Sequence, residues 1–147
     1  MITESDLKII GHLRKNARKK ITHISKELDI PVTTIYDKLR AHEKKGIVKK
    51  HTTLLDFSKL GYQTSALIAM SVDRNKRERL QNYLITHPNV NSLYRVDFGH
   101  DFLAEVIFED LGRLQEFVDS IDIQFSLDQI KTFNILQELK KEEFLSN

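Results

Sequence analysis

The sequence predicts an α+β chain in two parts. A helix-turn-helix (winged-helix-like) domain is expected over residues 1–53. A ferredoxin-like β-α-β-β-α-β domain is expected over 62–147, with a linker at 54–61. Three observations carry this. Ile21 to Val48 reads as two helices around a tight turn at Asp29-Ile30-Pro31. Residues 1–53 hold 13 Lys+Arg against 6 Asp+Glu, and 54–147 hold 10 against 15. From Tyr62 onward, strand-like and helix-like periods alternate.

Thr3-Glu4-Ser5-Asp6 resembles a capping box, with Asp at the third helical position. Leu7, Ile10 and Leu13, with Ile9 beside them, make the expected inner face of a first helix ending near Asn16. A second helix is expected over about Thr22–Leu28, with Ile24 and Leu28 inward. Ile30 precedes Pro31 and should end it, because a residue before Pro is pushed out of helical geometry. Asp29 suits a left-handed turn position better than most residues. A third helix, about Val32–Lys45, should stop at Gly46. Val48–Leu55 is β-branched and polar by turns and predicts a strand.

The third helix can be turned on its axis. Ile35, Leu39 and His42 lie inward, which sends Thr33, Asp37, Arg40 and Lys44 outward, with Thr34 and Tyr36 on the flanks. Short hydroxyls at a helix start, followed by Tyr and basic residues, suit base edges and the phosphates around them. Arg18-Lys19-Lys20 and Lys44-Lys45…Lys49-Lys50 bracket this pair of helices. A basic half attracts phosphate and an acidic half avoids it.

In the second half, Tyr62–Asp73 predicts a strand with Ala66, Ile68, Met70 and Val72 on one face. Asn75–Thr86 predicts a helix with Leu80 and Leu84 inward and Arg77 and Arg79 outside, broken by His87-Pro88-Asn89. Val90–Phe98 is the next strand, with Tyr94 and Val96 on one face and Arg95 and Asp97 on the other. Gly99-His100 is a tight turn into the strand Phe102–Phe108. Asp110 caps a helix whose inward residues are Leu111, Leu114, Phe117, Val118 and Ile121. A last strand, about Gln129–Leu136, precedes a charged tail from Glu138.

Composition excludes several classes. With no Cys there are no disulfides and no thiolate metal site, which suits a cytoplasmic protein. No apolar run reaches the roughly 18 residues of a membrane span. No two of the six His have ligand spacing on one helix face, so no metal is expected. Asp97 and Asp101 flank a turn with no nucleophile in view, so no catalytic residue and no cofactor are expected.

At this point the chain resembles the Lrp/AsnC (leucine-responsive, feast/famine) regulators over nearly its full length. Asp6-Leu7-Lys8-Ile9-Ile10 resembles the family's opening Asp-x-x-Ile-Leu, and Asn16-Ala17-Arg18 its Asp-Ala-Arg. Thr34 to Arg40 and Glu43 to Val48 resemble its recognition helix and the Gly that ends it. Leu55-Asp56…Leu60-Gly61 resembles its linker, and Gly99-His100-Asp101-Phe102 its small-molecule-binding turn, one residue shorter. Departures are present too. Pro31 stands for the usual Ser, Phe57 for the linker Pro, and His42 for a core Leu. Lys38 stands for an Arg, which removes a bidentate fork from that position. Asp122-Ile123-Gln124-Phe125 stands where a Pro-Gly-Val turn is common, and only Thr132 matches the paired Thr residues of the last strand.

The expected function is a sequence-specific transcriptional regulator binding double-stranded DNA. Thr33, Thr34, Tyr36, Asp37, Lys38, Arg40 and Lys44 are the expected contacts. The resemblance implies a homodimer, with tetramers or octamers above it. It also implies an amino-acid effector near Gly99, His100 and Asp101, where Asp101 would meet an ammonium and turn N–H groups a carboxylate. Two alternatives share the architecture or the charge. One is a sirohaem-decarboxylase-like enzyme, although its Tyr-Asn-Leu-Trp run is not found here. The other is an architectural chromatin protein without sequence choice.

Overall fold

The computed structural model describes residues 1–146. The chain forms two compact units: one is residues 1–54 with the chain from Leu139 onward, the other Leu55–Glu138. The tail expected to belong to the second half therefore groups with the first.

The first unit holds α1 (Glu4–Lys15), α2 (Ile21–Leu28) and α3 (Val32–Lys44). α1 starts on a complete capping box: Asp6 N–H donates to Thr3 Oγ1, and Thr3 N–H to the Asp6 carboxylate. α2 ends on Asp29, which takes the left-handed conformation (φ 54°). The Ser25 hydroxyl closes the turn by donating to Ile30 C=O. Gly46, at φ 76°, ends α3 after Lys44, and the Ile47 and Val48 N–H groups fold back onto His42 C=O.

The core of this unit is small. Ile9, Ile24 and Ile35 are fully buried, with Leu13, Ile21, Leu28, Ile30 and Leu39 packed around them. The inner face of α1 differs from the predicted one. Ile9 and Asp6 point inward, while Leu7 is exposed and Ile10 half-buried. Asp6 explains the rotation. Its carboxylate meets Lys38 Nζ at 3.0 Å and His42 Nε2 at 3.2 Å, so it must face α3. Leu7, the next residue, then faces away.

The strand predicted at Val48–Leu55 does not form. The segment is extended coil, exposed except for a half-buried Val48. A strand needs a neighbour for its N–H and C=O groups, and no ladder partner exists for it among the described residues.

The second unit begins with a 3₁₀ turn at Phe57–Leu60, capped by Asp56 and ended by Gly61 at φ 97°. It continues as β1 (Thr64–Ser71), α4 (Arg77–Thr86), β2 (Val90–Arg95), β3 (Phe102–Phe108), α5 (Leu111–Phe125) and β4 (Gln129–Asn134). A 3₁₀ turn at Arg74–Lys76 leads into α4. The sheet is antiparallel in the order β2-β3-β1-β4, the predicted β-α-β-β-α-β arrangement. Alternation along the strands sends Ala66, Ile68 and Met70 to one face with Phe102, Ala104, Val106 and Phe108. Leu80 and Leu84 of α4 cover that face with Leu114, Phe117, Ile121 and Phe125 of α5. Leu111, predicted inward, is exposed at the helix start beside the Asp110 cap. Among the described residues, no helix is long and apolar enough to cross a membrane.

Bonds donated by Thr3 N–H, Lys38 Nζ and the Thr3 hydroxyl hold the Asp6 carboxyl far below the ordinary carboxylate range; the Thr3 N–H contributes most, then Lys38. A depressed folded pKa means this stability is complete above about pH 5 and fades as pH falls below about 4. We expect Asp6→Ala to cost the first unit about 3 kcal/mol, the scale for breaking a buried pair. Urea melts followed by helix dichroism should also show the wild type losing more stability than the variant between about pH 5 and 2.

Candidate nucleic-acid interface and effector turn

The free face of α3 carries most of the predicted set. Thr33, Tyr36, Asp37, Arg40 and Lys44 are exposed, and Thr34 is half-buried on the flank. Their exposure follows from the opposite face, where Ile35 and His42 are buried and Leu39 packs on the core. Pro31 provides no side-chain cap, and its extended ψ of 142° launches the helix. Lys38 differs from the rest. Its ammonium is turned back to Asp6, so it braces α3 from behind.

The flanking basic residues divide the same way. Arg18, Lys20, Lys45, Lys49 and Lys50 are exposed. Lys19 is held by both Glu27 oxygens at 2.9 Å and lies 3.0 Å from His12 Nδ1. That contact with Lys19 lowers the Glu27 pKa. The exposed cations of these two clusters are therefore those beside the turn into α2 and just after α3, on either side of the α2–α3 pair in sequence.

The turn from β2 to β3 spans 96–101. Phe98 and Gly99 take positive φ (59° and 87°), and Phe98 is 95% exposed. Gly99 tolerates this at no steric cost, whereas Phe98 is in a region that bulky residues rarely adopt. His100 is half-buried, and its Nδ1 is buried without a hydrogen-bond partner among the described residues. β2 is an edge strand, so the turn joins an edge strand to a central one.

Asp101 is already engaged. Its N–H donates to Met70 C=O at 2.7 Å, and its Oδ2 accepts from Val72 N–H at 2.9 Å. Its Oδ1 lies 3.2 Å from Arg77 Nε, whose N–H is not aligned on it, so this contact is charge attraction rather than a directed bond. Arg77, predicted to point outside, is thereby half-buried at the start of α4. Asp101 ties the end of β1 to α4, with each of its carboxylate oxygens already beside a protein group.

A surface groove of this unit lies elsewhere. It has about 580 Å³ and is lined by Tyr83, His87, Phe108, Arg113, Glu116 and Phe117 among others. Burial among these rings pushes the His87 pKa down. Sequence reasoning missed Asp6 and Arg77 as structural partners. For Asp6 the signal was there: the third position of a capping box, one turn before Ile9 and Ile10, also faces the interior.

Residues 65–144 match the family model described as the Lrp/AsnC ligand binding domain, and residues 2–49 match that of a winged helix-turn-helix DNA-binding domain. An HTH-type transcriptional regulator of Pyrococcus abyssi is 27% identical over 146 residues, covering 98% of this chain and 97% of its own. The HTH-type transcriptional regulator LrpC of Bacillus subtilis is 25% identical over 118 residues, covering 80% and 82%. Among solved structures, B. subtilis LrpC superposes with a TM-score of 0.86 at 24% identity, covering 95% of this chain and 98% of that one. A transcriptional regulator of Neisseria meningitidis, solved as an L-Met complex, gives 0.88 at 22% identity, covering 96% and 94%.

Asp101→Asn should lower the melting temperature of the protein in buffer alone. It keeps an acceptor for Val72 N–H but leaves the half-buried Arg77 without its counter-charge, at a cost of about 1–3 kcal/mol. A thermal melt without any small molecule checks this, and an unchanged melt would remove the tying role.

Proposed function

This chain belongs to the Lrp/AsnC family of DNA-binding transcriptional regulators, and from that premise we propose that it reads double-stranded DNA as a homodimer through α3 of each copy. The carrying observation is the free face of α3: Thr33, Tyr36, Asp37, Arg40 and Lys44 are exposed on one helix whose other face is locked into a core. Thr33, Thr34 and Tyr36 supply short contacts near the helix start, and Arg40 reaches a base edge or phosphate. Lys44 and the exposed Lys45, Lys49 and Lys50 meet the backbone. Asp37 accepts from a cytosine amino group or excludes phosphate from its side of the helix. Lys38 acts through Asp6, by fixing the angle of α3. The relatives bear regulator names, so the sirohaem-enzyme reading is not carried forward. A DNA-binding regulator of this family works in the cytoplasm.

The homodimer reading rests on the uncovered face of the sheet. Opposite the helices it presents Leu67, Tyr94, Leu103, Ile107 and Phe133, with Tyr94 and Phe133 each 56% exposed. Apolar side chains gathered on one sheet face are the material of an interface. A two-fold dimer then presents two recognition helices, and larger rings are built from such dimers.

The effector reading places an amino acid at the β2–β3 turn. The groups proposed to meet it are the Gly99 N–H and the His100 ring, whose Nδ1 has no hydrogen-bond partner among the described residues, with Asp101 holding the turn from behind. The match to a ligand-binding domain model and the L-Met complex of the Neisseria relative support it.

Selection of bound sequences from a random DNA pool tests the central reading. The expected site is a rough palindrome with half-sites 10–10.5 base pairs apart or a multiple of that. A pool that yields no enriched sequence supports the architectural alternative. On the selected site, Arg40→Ala should cost about 1–3 kcal/mol, and Lys44→Ala should flatten the salt slope by about one. Unchanged affinity and slope in both variants would reject this face.

The effector reading has its own measurement. One of the natural amino acids, at millimolar concentration, should raise the melting temperature, because a ligand stabilises only the state that binds it. A flat result across all of them rejects an amino-acid effector.

A further inference from the structure

The rotation of α1 that turns Asp6 inward leaves another face outward. Ile2 and Leu7 are exposed on or beside it, Ile10 is half-buried, and Arg14 stands at its C-terminal end. The end of the chain meets this face at Arg14. Arg14 Nε–H donates to Phe144 C=O at 2.9 Å, and Arg14 Nη1 meets Glu142 Oε2 at 3.2 Å. The tail holds a bent shape to reach it. Glu142 and Leu145 both take left-handed φ (53° and 57°), and Ser146 Oγ donates to Glu143 C=O at 2.7 Å. Two non-glycine residues in that region are unfavourable and persist only when contacts hold them.

The other end of the tail is anchored to the sheet. Ile135 N–H donates to Ser65 C=O at 2.8 Å, extending the β4–β1 ladder by one bond. The chain rejoins the first unit at Leu139. Only Leu136, Gln137 and Glu138 lie between. The DNA-binding unit is thus connected to the sheet of the second unit twice, by the segment before β1 and by this bridge after β4.

We propose that the segment from Leu139 is a latch, with the outer face of α1 as its docking surface and Arg14 as its catch. The proposal rests on the DNA-binding reading above. A unit on one connection samples many orientations, and ordering it on DNA costs conformational freedom. A second connection removes part of that cost in advance, so the closed latch favours DNA binding. The catch is an exposed ion pair and one main-chain bond, which salt weakens and a modest force opens. Any shift of β4 reaches α1 across three residues. That makes the latch a route by which a ligand event on the sheet alters DNA affinity.

The test uses the full chain and variants whose charge effect opposes the latch effect. Glu142→Lys adds positive charge, so simple attraction to DNA predicts tighter binding, whereas an opened latch predicts binding weaker by about two- to fivefold. The double variant Arg14→Glu with Glu142→Lys restores the pair in reverse and should recover most of the loss. In parallel, brief trypsin treatment is followed by mass for release of the peptide beginning at Glu142, cut after Lys141. Release should be faster in Arg14→Ala than in wild type, and faster in wild type at high salt. Equal release rates in wild type and Arg14→Ala overturn the latch, as does Glu142→Lys binding DNA as tightly as wild type or tighter. If wild type binds no DNA, the DNA reading fails, and the trypsin result alone still decides whether Arg14 holds the tail.

Discussion

The DNA-binding unit depends on one carboxylate. Asp6 accepts from Thr3 at the start of α1 and meets Lys38 and His42 on α3. It therefore sets where α1 begins, which face of it is inward, and how α3 is oriented. Only three isoleucines are fully buried in this unit, each worth about 2–3 kcal/mol. In so small a core, breaking a buried ion pair costs about as much as losing one of those side chains outright. The same network decides what is left for function. It withdraws Lys38 from the exposed face of α3 and leaves Arg40 and Lys44 as that face's free cations, among the described residues.

The second unit is held differently. Its core runs from Ala66 to Phe125 and includes two fully buried phenylalanines, Phe102 and Phe125. Apolar burial dominates, and polar ties only set details. Asp101 joins the end of β1 to α4, and Lys76 Nζ reaches Phe125 C=O at the end of α5. The turn at 98–101 is consequently tied down at Asp101 and exposed at Phe98, with strain concentrated at the exposed residue.

The readings that failed share a cause. Val48–Leu55 has strand propensity, yet a strand forms only where a neighbour supplies its ladder, and propensity contains no information about neighbours. Leu7, Ile10 and Leu111 fit helical spacing but lie on or beside the outer face, because Asp6 and the Asp110 cap fix the helices one step round. Arg77 read as a surface cation because basic residues usually are, and its partner is a carboxylate in a distant turn. His42, by contrast, lay on the predicted inner face, and its partner is the residue that the capping box supplied.

The sequence by itself determined the element order, the two-part division of charge, the left-handed Asp29, the stop at Gly46 and the alternation of the four strands. These follow from local rules: the period of apolar residues, cap chemistry and backbone sterics act over a few positions and are written in those positions. Tertiary structure alone decided which charge meets which. Lys38 reaches Asp6 across 32 residues, and Arg14 reaches Glu142 across 128. A chain of 23 basic and 21 acidic side chains allows many such pairings. Packing selects among them, because only the folded chain brings such distant groups within about 4 Å, and at Asp6 burial also removes the water that would otherwise screen the pair.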